Sequence, residues 1–208
     1  MKNIFFTRIS QKALCALSAV LLTLSIALCS AVSFFISAKN VQKGVLRLHV
    51  IANSDSEADQ AVKLLVRDRV LEAGADIFDG SVTAAEAERK ISPRLDETER
   101  AAAEVLCENG FDYGVRAELV NEFFDTRAYG DITLPAGNYE AVKIVLGEGK
   151  GKNWWCVMFP PLCLPAVTRD GDTVAVFSED ERRVVEQSPK YEVRFKLAEL
   201  FGRIFKRD

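Results

Sequence analysis

Residues 147–153 read GEGKGKN, glycine alternating with charged side chains, as in loops whose backbone amides cradle phosphate. Such a loop needs glycine, four residues, then Gly-Lys followed by Ser or Thr, because the hydroxyl holds the magnesium that accompanies the phosphates. Counting back from Gly151 and Lys152 puts Leu146 at the first glycine position, and Asn153 stands where the hydroxyl is required. The stretch therefore reads as the turn of a hairpin, with Lys150 and Lys152 exposed for contact with a partner. Cys156 and Cys163 follow. They lack the two-residue spacing of a zinc or thioredoxin-like pair, and no second Cys or His cluster completes a metal site. In an exported domain they either form a disulfide across Pro160 and Pro161 or remain buried thiols. Cys107 falls on a helical face and reads as a small core hydrophobe.

His49 is the only histidine, so any Cys-His or Ser-His catalysis must use it. Papain-like enzymes place their cysteine before the histidine, whereas Cys107, Cys156 and Cys163 all follow it, and no Gly-x-Ser-x-Gly elbow occurs. Asp55 and Asp59 suggest carboxylate chemistry, but acidic residues at the start of a helix are explained by its macrodipole. Trp154 and Trp155 point to opposite faces of one strand. One belongs in a core, and the other is a candidate anchor for a partner.

These residues need a scaffold, and periodicity supplies one. In VLRLHVI, Val45, Arg47, His49 and Ile51 share one strand face, with Leu46, Leu48 and Val50 on the other. Ser54 and Glu57 have the spacing of a capping box, and Ala58, Val62, Val66, Val70 and Ala73 form a helical stripe that Gly74 ends. Thr83 and Glu86 repeat the cap spacing ahead of a helix through Ile91, Leu95, Ala102, Val105 and Leu106, which Pro93 should kink or split and Gly110 should end. A half-solvated strand then runs through Tyr113, Val115, Ala117 and Leu119. Residues 139–159 read as two strands of a hairpin, the second apolar enough to be central. TVAVF suggests a short edge strand and SEDERR a solvated loop; Ser188 and Pro189 start a last helix with Tyr191, Phe195, Ala198, Phe201 and Phe205 on one side.

Residues 13–38 carry no charge and follow Lys2, Arg8 and Lys12. A positive start and a long apolar core mark an export segment, either a signal peptide cleaved near Ala31 or Ala38 or a retained anchor, since about 20 helical residues span the hydrocarbon layer. Without residues 1–38 the chain has 24 basic residues against 30 acidic ones, a net charge of minus six. An acidic domain of this kind is repelled by nucleic acid and by anionic membrane surfaces.

Two stretches carry a family likeness: LRLHVIANSDS with its following DQAVKLLVRD, and LPAGNYEAVKIVLGEGKGKNWWCVMFPPLC. Both are similar to stage II sporulation protein R of endospore-forming bacteria; the likeness runs from about Leu46 to Cys163 and resumes at YEVRFKLAELF. The resemblance implies a signalling protein made in the forespore and exported between the two membranes. There it triggers a membrane-bound aspartic protease of the mother cell, which removes the pro-sequence of sporulation sigma factor E. In that scheme the chain is the ligand and not the protease.

The sequence thus predicts an α+β protein: an export or transmembrane helix over residues 1–38, then one signalling domain over 39–208 with an antiparallel sheet packed against helices. Asn53, Ser54, Asp55, Lys150, Lys152, Asn153 and Trp154 are the candidate contacts for the protease. No catalytic residue, cofactor, metal, nucleic acid or small-molecule substrate is expected, and the membrane is a partner if the segment is retained. The rival from another class is an exported cell-wall hydrolase using His49 and a cysteine thiol; a structural envelope protein is a third.

Overall fold

The computed structural model describes residues 11–79, 83–130, 132–162 and 177–186. The chain divides into two compact units, Met1–Ser37 and Ala38–Asp208. In the first, α1 (Gln11–Lys43) begins; it is long and apolar enough to cross a membrane, which is compatible with a signal peptide or an anchor. Its last turn belongs to the second unit, where Ala38 and Val41 are buried and Gln42 Nε2 donates to the Ala136 carbonyl at 3.1 Å.

The second unit is α+β, with strands β1 (Leu46–Ile51), β2 (Val115–Phe124), β3 (Arg127–Tyr129), β4 (Ile132–Leu134), β5 (Gly137–Leu146) and β6 (Asn153–Phe159). Between β1 and β2 lie α2 (Glu57–Ala73), α3 (Ala75–Asp79), α4 (Ala84–Ile91) and α5 (Leu95–Glu108), and α6 (Glu179–Val185) comes after β6. The main sheet has the order β2-β5-β1-β6, and β3 pairs with β4 in a separate ribbon.

This order corrects the expected hairpin. β5 and β6 are not neighbours, because β1 lies between them, parallel to β5 and antiparallel to β6. Residues 147–152 therefore pass over the end of β1 instead of making a tight turn. The central strands are β5 and β1, whereas β6 ends the sheet among the described residues.

One face of the sheet carries the core that the periodicities predicted. Leu46, Leu48, Val50, Val142, Ile144, Leu146 and Met158 meet Val62, Val66, Val70 and Leu71 of α2 and Ala102, Val105 and Leu106 of α5. A 3-10 turn at Ser92–Arg94, containing Pro93, separates α4 from α5, since proline removes a backbone donor. Thr83 caps α4 through the Glu86 amide as expected.

Four local readings change. The cap of α2 is Ser56, accepting from the Asp59 amide, and not Ser54 with Glu57. The stripe on α2 starts with Asp59 and Lys63, both buried, whereas Ala58 and Ala73 are exposed. Cys107 is exposed, because the apolar face of α5 turns through its neighbours Val105 and Leu106. Residues 179–185 are helical, since Ser178 and Glu181 complete a capping box that outweighs their high charge. The expected strand TVAVF lies outside the described residues except for Phe177, as does the last helix from Ser188.

Candidate functional site

The parallel β1–β5 pairing carries the candidate residues to one end of the sheet. β1 finishes at Ile51, the chain turns through residues 52–56 into α2, and residues 147–152 close over that turn. The closure is made by backbone. Lys150 N donates to the Asn53 carbonyl at 3.1 Å and Gly151 N to the Ala52 carbonyl at 2.9 Å. Glu148 N donates to Asn53 Oδ1 at 2.9 Å, and Lys152 N to Asp55 Oδ1 at 2.7 Å. Gly147 N and Gly149 N reach the Gly114 and Leu146 carbonyls at 2.8 and 3.0 Å.

Every backbone amide from Gly147 to Lys152 is thus used inside the protein. A phosphate-binding loop keeps such amides free for its ligand. The glycines serve the close approach instead. Gly147 has φ +54, and a Cβ there would run into Asn53 Oδ1; a Cβ on Gly151 would run into the Ser54 carbonyl.

Asp59 holds the turn from below. Its carboxylate accepts from Asn53 Nδ2 at 3.1 Å, from Ser54 Oγ, and from Tyr113 Oη at 2.7 Å. Burial alone would raise the pKa of this carboxyl, but the bonds from Ser54, Tyr113, Asn53 and Ser56 outweigh it and hold it below the usual value. Burial, with the bond to Asp59, pushes the Tyr113 phenol up. Lys63 is buried beside the loop, with Nζ donating to Gln60 Oε1 at 2.6 Å and to the Lys152 carbonyl at 3.0 Å, and burial lowers its pKa.

Six of the seven candidate contacts, Asn53, Ser54, Asp55, Lys150, Lys152 and Asn153, therefore lie together. Asn53 and Ser54 are turned into the turn as struts. Asp55, Lys150 and Lys152 are exposed on its outside, where Lys150 Nζ pairs with Glu148 Oε2 at 2.7 Å. Trp154 is half-buried against the helix-side core, with the Arg67 guanidinium 4.6 Å above its ring. Asp59, Lys63 and Tyr113 complete the arrangement without having been singled out as a group; the signal available was two charged residues on the inner stripe of α2.

Asn153 also reaches the other face of the sheet. There His49 is buried, with Nδ1 against Glu122 Oε1 and Nε2 2.9 Å from Asn153 Oδ1. Its ring stacks on Trp155 at 3.7 Å. Glu122 Oε2 lies 3.6 Å from Lys143 Nζ; burial would raise the pKa of Glu122, and its bonds to His49 and Lys143 hold it down. Both ring nitrogens of His49 are thus engaged. Cys156 is fully buried opposite Leu48, in the helix-side core and so on the opposite face of the sheet from His49, and Cys107 is on α5. Neither Cys107 nor Cys156 is in position to be activated by His49. Cys163, the expected disulfide partner of Cys156, lies outside the described residues. Among the described residues there is no cluster of three or more His, Cys, Asp or Glu that could hold a metal ion.

Comparison with known proteins places this framework. The family model described as stage II sporulation protein R matches residues 42–169, which contain β1 through β6 and all the residues of the turn. The stage II sporulation protein R of Bacillus subtilis (strain 168) is 40% identical over 118 residues, covering 57% of this chain and 53% of that protein. The chain thus spans about half the length of this relative. No solved structure matches. With more than half of its length matched by the family model, the chain belongs to the stage II sporulation protein R family.

Proposed function

We propose that the chain is a sporulation signal exported from the forespore, which activates a membrane-bound aspartic protease that processes the precursor of sporulation sigma factor E. The observation that carries this reading is the closed turn at the end of the sheet. Its amides are consumed internally, so it is built to present Asp55, Lys150 and Lys152 and not to enclose a small ligand. The apolar helix at the N-terminus supplies an export segment, and family membership supplies the sporulation context. Binding acts by favouring the active state of the protease, since a ligand shifts an equilibrium only through its different affinities for the two states. The disulfide between Cys156 and Cys163 belongs to the same proposal, as an export-dependent brace.

The test is precursor processing in a non-sporulating host that carries the protease and the sigma factor precursor. Processing should require the full chain and fail when residues 1–38 are deleted. Lys150→Glu with Lys152→Glu should abolish processing while leaving the thermal midpoint unchanged. Normal processing by that double variant would remove the turn from the interface, and processing indifferent to the chain itself would overturn the function.

A further inference from the structure

Arg47 stands on β1 between Leu46 and Leu48, on the sheet face turned away from α2 and α5, and is fully buried. A guanidinium brings five N–H donors and does not lose its proton in a protein. Here Nε is 3.5 Å from the Cys156 carbonyl, Nη2 bonds the Tyr129 hydroxyl, and Nη1 is buried with no hydrogen-bond partner. Burial lowers its pKa, and no carboxylate among the described residues pairs with it. Ring faces surround the guanidinium instead, with centroids 4.1 Å away for Phe124, 5.0 Å for Tyr139 and 5.6 Å for Tyr129. Aromatic faces soften a buried cation but accept none of its hydrogens in the strong, planar manner of an oxygen pair.

Part of the cover over this arginine comes from the β3–β4 ribbon. Tyr129 comes from a ribbon of two three-residue strands, β3 and β4, and its hydroxyl is also 3.5 Å from the Trp155 carbonyl. The ribbon is tied to the end of α6 by an antiparallel bridge between Ile132 and Glu186, so a ligand has to displace the Tyr129 side chain and not the ribbon. The Tyr129 oxygen occupies one of the two acceptor positions that a planar, two-oxygen group would fill, and the other, at Nη1, has no acceptor.

We propose that Arg47 and Tyr129 form a binding site for a carboxylate, which on displacement of the Tyr129 side chain takes Nη1 and Nη2 in parallel within the cage of Phe124 and Tyr139. The carboxylate comes either from a small organic acid or from an acidic side chain of a protein partner. The two sources present the same two oxygens and differ in what surrounds them.

The experiment is thermal unfolding of the full chain in detergent, titrated with potassium acetate and, separately, with potassium chloride at matched ionic strength. Acetate should raise the midpoint saturably, by about 2–4 °C beyond chloride. The Arg47→Met variant should show no difference between the salts. Tyr129→Phe removes the competing hydroxyl, so its half-saturating acetate concentration should fall about tenfold, and this variant decides the matter if Arg47→Met does not fold. A capped Gly-Glu-Gly peptide against its Gly-Gln-Gly counterpart then separates the sources. Tighter binding of the glutamate peptide than of acetate assigns an acidic side chain, and the reverse assigns a small acid. Equal midpoints in acetate and chloride for the wild-type chain would overturn the site, as would an acetate effect surviving in Arg47→Met or an unchanged half-saturation in Tyr129→Phe.

Discussion

β1 serves two faces of the same sheet with residues one position out of step. Toward the helices it sends Leu46, Leu48 and Val50, which meet an apolar stripe of α2 and α5. Toward the other side it sends Arg47 and His49, buried just as fully among Phe124, Tyr129, Tyr139, Trp155 and Glu122. The first face is held by area removed from water, which has no preferred direction and tolerates repacking. The second is held by directional contacts to charged groups that are costly to leave unpaired. A single strand thus separates an apolar core from a buried cluster of charged and aromatic side chains.

The comparison breaks most visibly at Leu48. Truncation to alanine removes a fully buried side chain from the centre of the helix-side core and should cost about 2–5 kcal/mol, read as a lower denaturant midpoint with little change of slope. Asp59→Ala should come next, at about 3 kcal/mol, because Tyr113 Oη, Ser54 Oγ and Asn53 Nδ2 lose one shared acceptor. Asp59 also gives this end of the sheet a pH dependence. Its folded pKa lies below the unfolded value of about 3.9, so its contribution is complete above that pH and is lost as pH falls through the folded value. Acid titration of the wild-type chain should show this loss, and the Asp59→Ala variant should lack that component. Gly151→Ala tests the turn itself. A methyl group against the Ser54 carbonyl should cost about 2 kcal/mol, and because the closure positions Lys150 and Lys152 it should also reduce precursor processing.

These differences explain what could be read from the chain. Elements with one wet and one dry side announced themselves: α2 and the split pair α4 and α5 follow their period because water and core sort the side chains, and β1, buried on both faces, showed its period through the alternation of apolar residues with Arg47 and His49. Strand order did not, since β5 and β6 are near in sequence and a glycine-rich link between them looks like a hairpin. Insertion of β1 between them is a long-range pairing that no local window contains. Within the turn, Asn53, Asp55, Lys150 and Lys152 were legible as polar residues at element ends. Asp59 was read only as a charge near a helix start, and the roles of Lys63 and Tyr113 depend on where the loop crosses β1. The second face was half visible in the alternation of Arg47 and His49, but its covers, Glu122 and Tyr129, come from strands more than seventy residues away.

The smallest effect sharpens the contrast most, because it has the opposite sign. Arg47 is the immediate neighbour of Leu48 and equally inaccessible, yet its charge has no acidic partner among the described residues and Nη1 has no hydrogen bond. Replacing a buried charge by an apolar side chain of similar volume removes its desolvation cost while keeping much of its packing, and such exchanges are often neutral or stabilising. Methionine suits the irregular space between rings. Arg47→Met should therefore raise stability by about 1 kcal/mol in chloride buffer, measured by denaturant unfolding beside Leu48→Ala. A gain at position 47 against a loss at position 48 would mean that the arginine is kept for something other than folding. A loss of several kcal/mol at both would make the ring cage sufficient compensation for the cation, and the two faces would then be two halves of one core.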